Sequence, residues 1–189
     1  MTRPQEIGAA AHRDRPTALA AVSLADKLAD LDAVACLHRA FGDVAWPVLR
    51  RQYLAAGYQT GVERLACELA ADRFTPAGFT ADPVAGVRDW LSGFFRDRGT
   101  ARPEIWSEEG TVYLRTRGCE RCLTREAEAR RPVSHDEVCF VYCRAWVEGY
   151  VMVLADLFPG VIINYHNVDS RRAGAGHDCV EAFQVVAPA

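Results

Sequence analysis

Lysine is almost missing from the 189-residue chain: of 22 basic residues, Lys27 alone is a lysine and the rest are arginines. Long apolar runs are missing too. No stretch approaches the ~20 consecutive apolar residues of a membrane span. The N-terminal MTRPQEIGAAAHRDRPTALAAVSLADKLADL mixes acids with arginines and has no apolar core of signal-peptide length. A basic patch is likewise absent, since arginines alternate with acids and the net charge is −3, which argues against a nucleic-acid partner. The expectation is a cytoplasmic protein with no membrane partner, whose cysteines are reduced thiols by default. Nothing in the sequence excludes a homodimer.

A chain of this length suits one domain and buries about 70% of its unfolded surface, so it needs neither disulfide nor metal merely to hold a core. Residues 1–16, with two prolines and scattered charges, predict a disordered arm. Residues 17–189 predict a single α+β domain, helical over 17–100 and cysteine-bearing over 101–189. Ser23 caps a helix to about Arg39, with Leu24, Leu28, Leu31 and Ala35 on one face. A second helix runs from Asp43 to Ala56 and stops near Gly57. A third runs from Gly61 to Asp72, with Val62, Leu65, Ala66 and Leu69 inward. TPAGFTADP reads as a loop. Asp82 then caps a helix with Pro83 in its first turn and a stripe of Val84, Val87, Leu91 and Phe94, ending near Gly99.

Beyond residue 100 the pattern changes. TVYLRTRG alternates as a half-buried strand does. Ser134 and Glu137 match the reciprocal capping pair, and a long helix follows to about Leu157, closed by Pro159 and Gly160. VIINYHNV and CVEAFQVV are strands joined by the glycine turn DSRRAGAGHD. The predicted fold is α+β: a helical N-terminal half packed on a small antiparallel sheet, with one long central helix and an antiparallel pair at the C-terminus.

Cysteine is what the chain has in unusual arrangement. Of seven, four fall in RGCERCLTREAEARRPVSHDEVCFVYCRAWVEGY. Cys119 and Cys122 form a C-x-x-C after a strand, a spacing shared by zinc and iron–sulfur sites. Cys139 and Cys143 are i, i+4 on the long helix, a face continued by Trp146, Tyr150 and Leu157. Cys179 opens the last strand, two residues after His177. Cys36 and Cys67 lie on apolar helical faces and read as core packing. His12 and His38 read as solvated, and one of Tyr165 and His166 faces inward.

Two chemistries fit these thiols. Cys119, Cys122, Cys139 and Cys179, with Cys143 or His177 as spare ligands, could bind zinc; an iron–sulfur cluster is the alternative cofactor. Four thiolates would make the site structural, and three ligands would leave room for an activated water. Without metal, Cys139 in the first turn of its helix is the preferred nucleophile and Cys119 the second, with His177 or His135 as general base. Trp106, Trp146, Tyr150 and Tyr165 are the candidate walls of a mostly apolar substrate pocket. A dithiol redox role for Cys119 and Cys122 is a third reading, although that motif normally begins a helix.

The order strand–Cys119, Val138–Cys139 opening a helix, WVEGY, strand, glycine turn, Cys179 and final strand resembles the vinyl-4-reductase domain superfamily. Within it, the likeness is to the L-2-aminothiazoline-4-carboxylate hydrolase-like family, over roughly Thr111 to Val186. The resemblance implies functional cysteines at Cys119, Cys139 and Cys179. It also expects an acid where Cys143 stands, a proline where Glu120 stands and a glycine where Ala175 stands. It implies a stand-alone enzyme that hydrolyses or opens a C=N or C–S bond of a small heterocycle. Related sensor domains hold zinc and an aromatic ligand, so a metal- or ligand-binding module without catalysis is the competing expectation.

Overall fold

The computed structural model describes residues 24–98, 103–116, 140–169 and 178–187, with side chains at 33–94, 103–116, 141–169 and 178–187. The predicted arm, the Ser23 cap and the Ser134–Glu137 pair lie outside these residues. The architecture is α+β, with a four-stranded antiparallel sheet. The elements are α1 (Leu24–Phe41), a 3-10 turn (Gly42–Val44), α2 (Ala45–Ala70), α3 (Pro76–Ala81), α4 (Pro83–Arg98), β1 (Glu104–Glu108), β2 (Thr111–Thr116), a π turn (Phe140–Arg144), α5 (Ala145–Leu157), β3 (Ile162–Asp169) and β4 (Cys179–Val186).

The two helices expected over 43–72 are one. Gly57 and Gly61 cost helix propensity, about 1 kcal/mol each relative to alanine, yet they do not end α2 because each is where another helix touches it. A Cβ on Gly57 would sit 2.0 Å from the Trp146 carbonyl oxygen. A Cβ on Gly149 would sit 2.0 Å from that of Leu54. Gly61 lies under Tyr150 and Val153 in the same way. Contacts advance together along α2 and α5, so the two helices run side by side in one direction, backbone against backbone.

The buried face of α2 is Ala45, Leu49, Gly57, Gly61, Arg64, Leu65 and Glu68. Of the residues predicted inward on its second half, Leu65 is buried, whereas Val62, Ala66 and Leu69 are exposed. The difference arises because Arg64 and Glu68 take inward positions as a pair, 2.9 Å apart, with Arg73 closing on the other Glu68 oxygen at 2.8 Å. The Arg64 guanidinium also lies over the Trp90 ring, 5.7 Å from its centroid. Buried charge is tolerated where it is both paired and hydrogen-bonded.

TPAGFTADP contains a helix rather than a loop throughout. Thr75 Oγ1 accepts from the Gly78 N–H, Pro76 begins the turn and Phe79 is buried. Asp82 caps α4 as expected, its Oδ1 accepting from the Ala85 N–H at 2.9 Å. Val87, Leu91 and Phe94 are buried and Val84 packs beside them.

The sheet order is β1-β2-β4-β3, so the C-terminal pair expected from sequence is present and β2 lies against β4. Strand β1 was not expected. It joins β2 through Glu109 and Gly110, both at positive φ, the backbone of a two-residue hairpin turn. Val112, Leu114 and Phe183 face the helices and form the main core with Trp90, Leu91, Tyr150, Val153 and Leu154. A second cluster, Val34, Ala45, Leu49, Val141 and Tyr142, ties α1 and α2 to the π turn. The layers are therefore the sheet, then α4 and α5, then α2.

Replacing Gly57 or Gly149 with alanine should destabilise the fold by about 3 kcal/mol, since the added methyl meets a backbone that cannot step aside. Thermal denaturation should show a drop of roughly 6–12 °C for each variant; unchanged melting would contradict the close approach.

Candidate functional site

Register places the polar side chains of the sheet. On the face toward the helices, Thr116 pairs with Cys179, Leu114 with Glu181, Asn167 with Glu181 and Tyr165 with Phe183. Cys179, Glu181, Asn167 and Tyr165 thus gather at one end of that face. Asn167 Nδ2 donates to Cys179 Sγ at 3.5 Å and to the Val180 carbonyl at 3.2 Å. Tyr165 donates its hydroxyl proton to Glu181 Oε1 at 2.8 Å. Glu181 is 5% exposed.

The same end receives the start of the long helix. Only four residues separate α5 from β3, so the strand runs back along the helix it follows. Residues 140–157 rise about 27 Å as a helix and the eight residues of β3 extend about 26 Å. The Asn167–Asp169 end of β3 therefore comes level with the π turn. Turns of this π type concentrate at functional sites, and here Arg144 has its Nε and Nη2 shielded from solvent.

Cys119, Cys122, Cys139, His135 and His177 lie outside the described residues. Cys119 follows Thr116 by three residues and Cys139 precedes Phe140 by one. Of the remaining thiols, Cys143 is half-buried against the cluster of Val34, Leu49 and Tyr142, on the α2 side of the π turn. Among the described residues, no three of His, Cys, Asp and Glu are placed to hold a metal ion. Cys36 and Cys67 are exposed rather than core: their neighbours Val34, Ala35, Leu65 and Glu68 take the inward positions. His38 is not simply solvated, being stacked on Trp46 with centroids 4.5 Å apart and 3.2 Å from Asp43. Tyr165 is the inward residue of its pair and His166 is exposed.

The four predicted pocket aromatics do not share one wall. Trp106 pairs with Tyr113 on the opposite face of the sheet, stacked at 5.1 Å with the Arg115 guanidinium above it. Trp146 and Tyr150 stack on one another at 5.5 Å and extend through Phe94 and Trp90 into the main core. Leu157, expected on that stripe, is exposed at the end of the helix. Tyr165 lines a groove of about 310 Å³ between α5 and β3, with Glu148, Met152, Asp156 and Ile163.

Two polar ties flank this groove: Arg50 Nη2 donates to Glu148 Oε2 at 2.5 Å, and the Tyr58 hydroxyl bonds to Asp156. The Asp156 hydrogen bond, aided by burial and the carboxylate's charge, raises the Tyr58 pKa above its ordinary 10.0. Sequence reading missed Asn167, Glu181, Arg144 and these ties. A signal existed for Glu181, which falls in step with the inward Phe183 and Val185.

Set against known proteins, the chain matches no family model and no curated protein.

Tyr165→Phe should cost about 1–3 kcal/mol in urea denaturation, because the buried Glu181 loses a donor; a neutral result would contradict the hydrogen bond. The Tyr58 tie has a defined pH dependence. With its folded pKa raised, its contribution is complete below the ordinary phenol value and disappears as pH rises through the raised one. The stability gap between wild type and Tyr58→Phe should therefore narrow above about pH 10, as measured by denaturant midpoints across pH.

Proposed function

We propose that the chain is a small-molecule enzyme whose thiol-centred site lies where Thr116, Cys179 and the start of the long helix come level. Its reaction is hydrolysis or opening of a C=N or C–S bond in a small heterocycle, as the likeness to the aminothiazoline-carboxylate hydrolase-like proteins suggests. The observation that carries this reading is Cys179 on the inward face, with the Asn167 amide at its sulfur and the Tyr165–Glu181 pair beside it. A sheet end built only for packing has no use for a thiol, an amide and a carboxylate together.

In this reading Cys139 is the nucleophile and Cys119 the second choice, each a short length of chain from that end. The Cys139 thiolate adds to the C=N carbon, forming a C–S bond while the π electrons pass to nitrogen, which takes a proton. The amine or ring sulfur on that carbon then departs with a proton, its C–N or C–S bond breaking as the nitrogen lone pair re-forms C=N. Water adds to this thioimidate carbon with His177 accepting its proton, and the Cys139 thiolate leaves as the carbonyl of the product forms. Tyr165 and Glu181 offer a buried proton-holding pair close to Cys179.

A second reading is favoured by one observation: Cys143 stands where the resemblance expects an acid, and it packs among apolar side chains. Without that acid the domain would hold a ligand or a metal and leave it unchanged. Zinc, in that case, would be bound by Cys119, Cys122, Cys139 and Cys179, with an iron–sulfur cluster as the alternative.

Elemental analysis and an absorption spectrum of freshly purified protein distinguish zinc, iron–sulfur and metal-free states. Turnover is then measured on a panel of five-membered heterocycles with an endocyclic C=N bond. Cys139→Ser should lower it by at least about 10³-fold while ligand affinity stays within a few-fold. Wild-type turnover in that variant would remove Cys139 as nucleophile. Tight binding without any turnover would favour the module reading.

A further inference from the structure

The groove between α5 and β3 has a charge pattern that the thiol chemistry leaves unused. Glu148, Val151, Met152, Ala155 and Asp156 recur at i, i+3, i+4, i+7 and i+8, so one face of α5 forms a whole wall. Ile163 and Tyr165 on β3 line the other side. The middle is apolar, and each end carries a carboxylate, the two being about 12 Å apart along the helix. Because β3 runs back along α5, Tyr165 lies toward the Glu148 end, roughly 10 Å along the strand from the Asp156 end. At about 310 Å³ the space falls at the small end of the range for ligand pockets.

The two carboxylates are not equivalent. Glu148 is half-buried and held by Arg50, which offsets its charge. Asp156 is exposed, and the Tyr58 hydroxyl that bonds to it is a neutral donor. Among the described residues, no arginine, lysine or histidine lines the groove. The groove therefore offers an apolar length, an aromatic ring toward its compensated end and one uncompensated negative charge at the other. An anion would be repelled there. A molecule with a cationic head sets opposite charge against Asp156 while its body covers Met152 and Ile163, and an aryl group at its far end meets the ring of Tyr165.

We propose that this groove binds an apolar organic cation, an arylalkyl amine that spans it with its ammonium on Asp156 and its ring on Tyr165. The site lies beside the thiol end and touches it through Tyr165, whose ring lines the groove while its hydroxyl reaches Glu181. Calorimetric titration of the full chain with phenylbutylamine should show saturable one-to-one binding of millimolar or tighter affinity. Phenylbutanol keeps the body and lacks the charge; it should bind at least about 10-fold more weakly, and phenylbutyrate should not bind. Asp156→Asn keeps an acceptor for Tyr58 and should lower the amine's affinity by about the same 10-fold while leaving the alcohol's unchanged. Ala155→Leu fills the groove from α5 with a good helix former and should abolish binding of the amine and the alcohol. Asp89→Asn, which removes an exposed acid from α4, should change nothing. Unchanged helical circular dichroism establishes that each variant is folded. Absence of saturable binding, an amine that binds no better than the alcohol, or an affinity that survives Asp156→Asn or Ala155→Leu would overturn the proposal. Binding is read without turnover, so the result stands apart from the fate of Cys139 as nucleophile.

Discussion

The contact on which the structure depends is one without side chains. At Gly57 and Gly149 the backbones of α2 and α5 approach until a Cβ on either would fall 2.0 Å from a carbonyl oxygen of the other helix. Helices this close exchange the propensity cost of glycine for dispersion contact along their length and for Cα–H···O contacts at the crossing. Because α5 is the middle of three layers, its position relative to α2 also sets its height above the sheet. The stacked rings of Trp146, Tyr150 and Trp90 fill the space that remains.

Polar groups in this interior follow from the same crowding. Arg64 and Glu68 stand on the inward face of α2 just past the glycines, only 6% and 8% exposed. They persist because each satisfies the other and because Trp90 offers its ring face to the guanidinium, where the aromatic quadrupole attracts a cation. Pairs like this seldom add net stability over apolar residues of equal volume. Their effect is to fix rotation: turning α2 by one residue about its axis would bury Val62 and Leu69 but expose the pair and remove the glycines from α5.

That trade explains which parts of the fold were legible. Local chemistry announced α4 through Asp82 and Pro83, the C-terminal strands through their alternation, and the end of α5 through Pro159 and Gly160. Gly57 was misread as a stop because a glycine in a helix looks the same in sequence whether it ends the helix or admits a neighbour; only the position of Trp146, 89 residues on, separates the two. Strand β1 was missed because its turn uses Glu109 in the left-handed region, a residue that does not signal a two-residue hairpin as asparagine or aspartate would. For the site, alternation required one of Tyr165 and His166 to face inward without saying which, and Trp106 was grouped with Tyr165 because periodicity along one strand says nothing about which face another strand presents. Cys119, Cys122, Cys139 and His177 fall outside the described residues, so their grouping stays a reading of the sequence.

Glu181 is the residue that stability alone explains least. Its inward neighbours on β4 are Phe183 and Val185, and an apolar side chain in its place would continue the core without any charge to desolvate. A carboxylate there gives up hydration that hydrogen bonds such as the one from Tyr165 must replace, whereas an apolar side chain would give up none. What the position does offer is adjacency: one strand step from Cys179, beside Asn167, at the end of the sheet from which β2 leads toward Cys119 and Cys122. A buried acid held by a phenol is able to store or pass a proton, and a thiol site acting on a C=N bond needs a proton moved to nitrogen. A costly group is therefore placed where the proposed chemistry would use it, whereas Val112, Leu114, Phe183 and Val185 on the same sheet face are apolar.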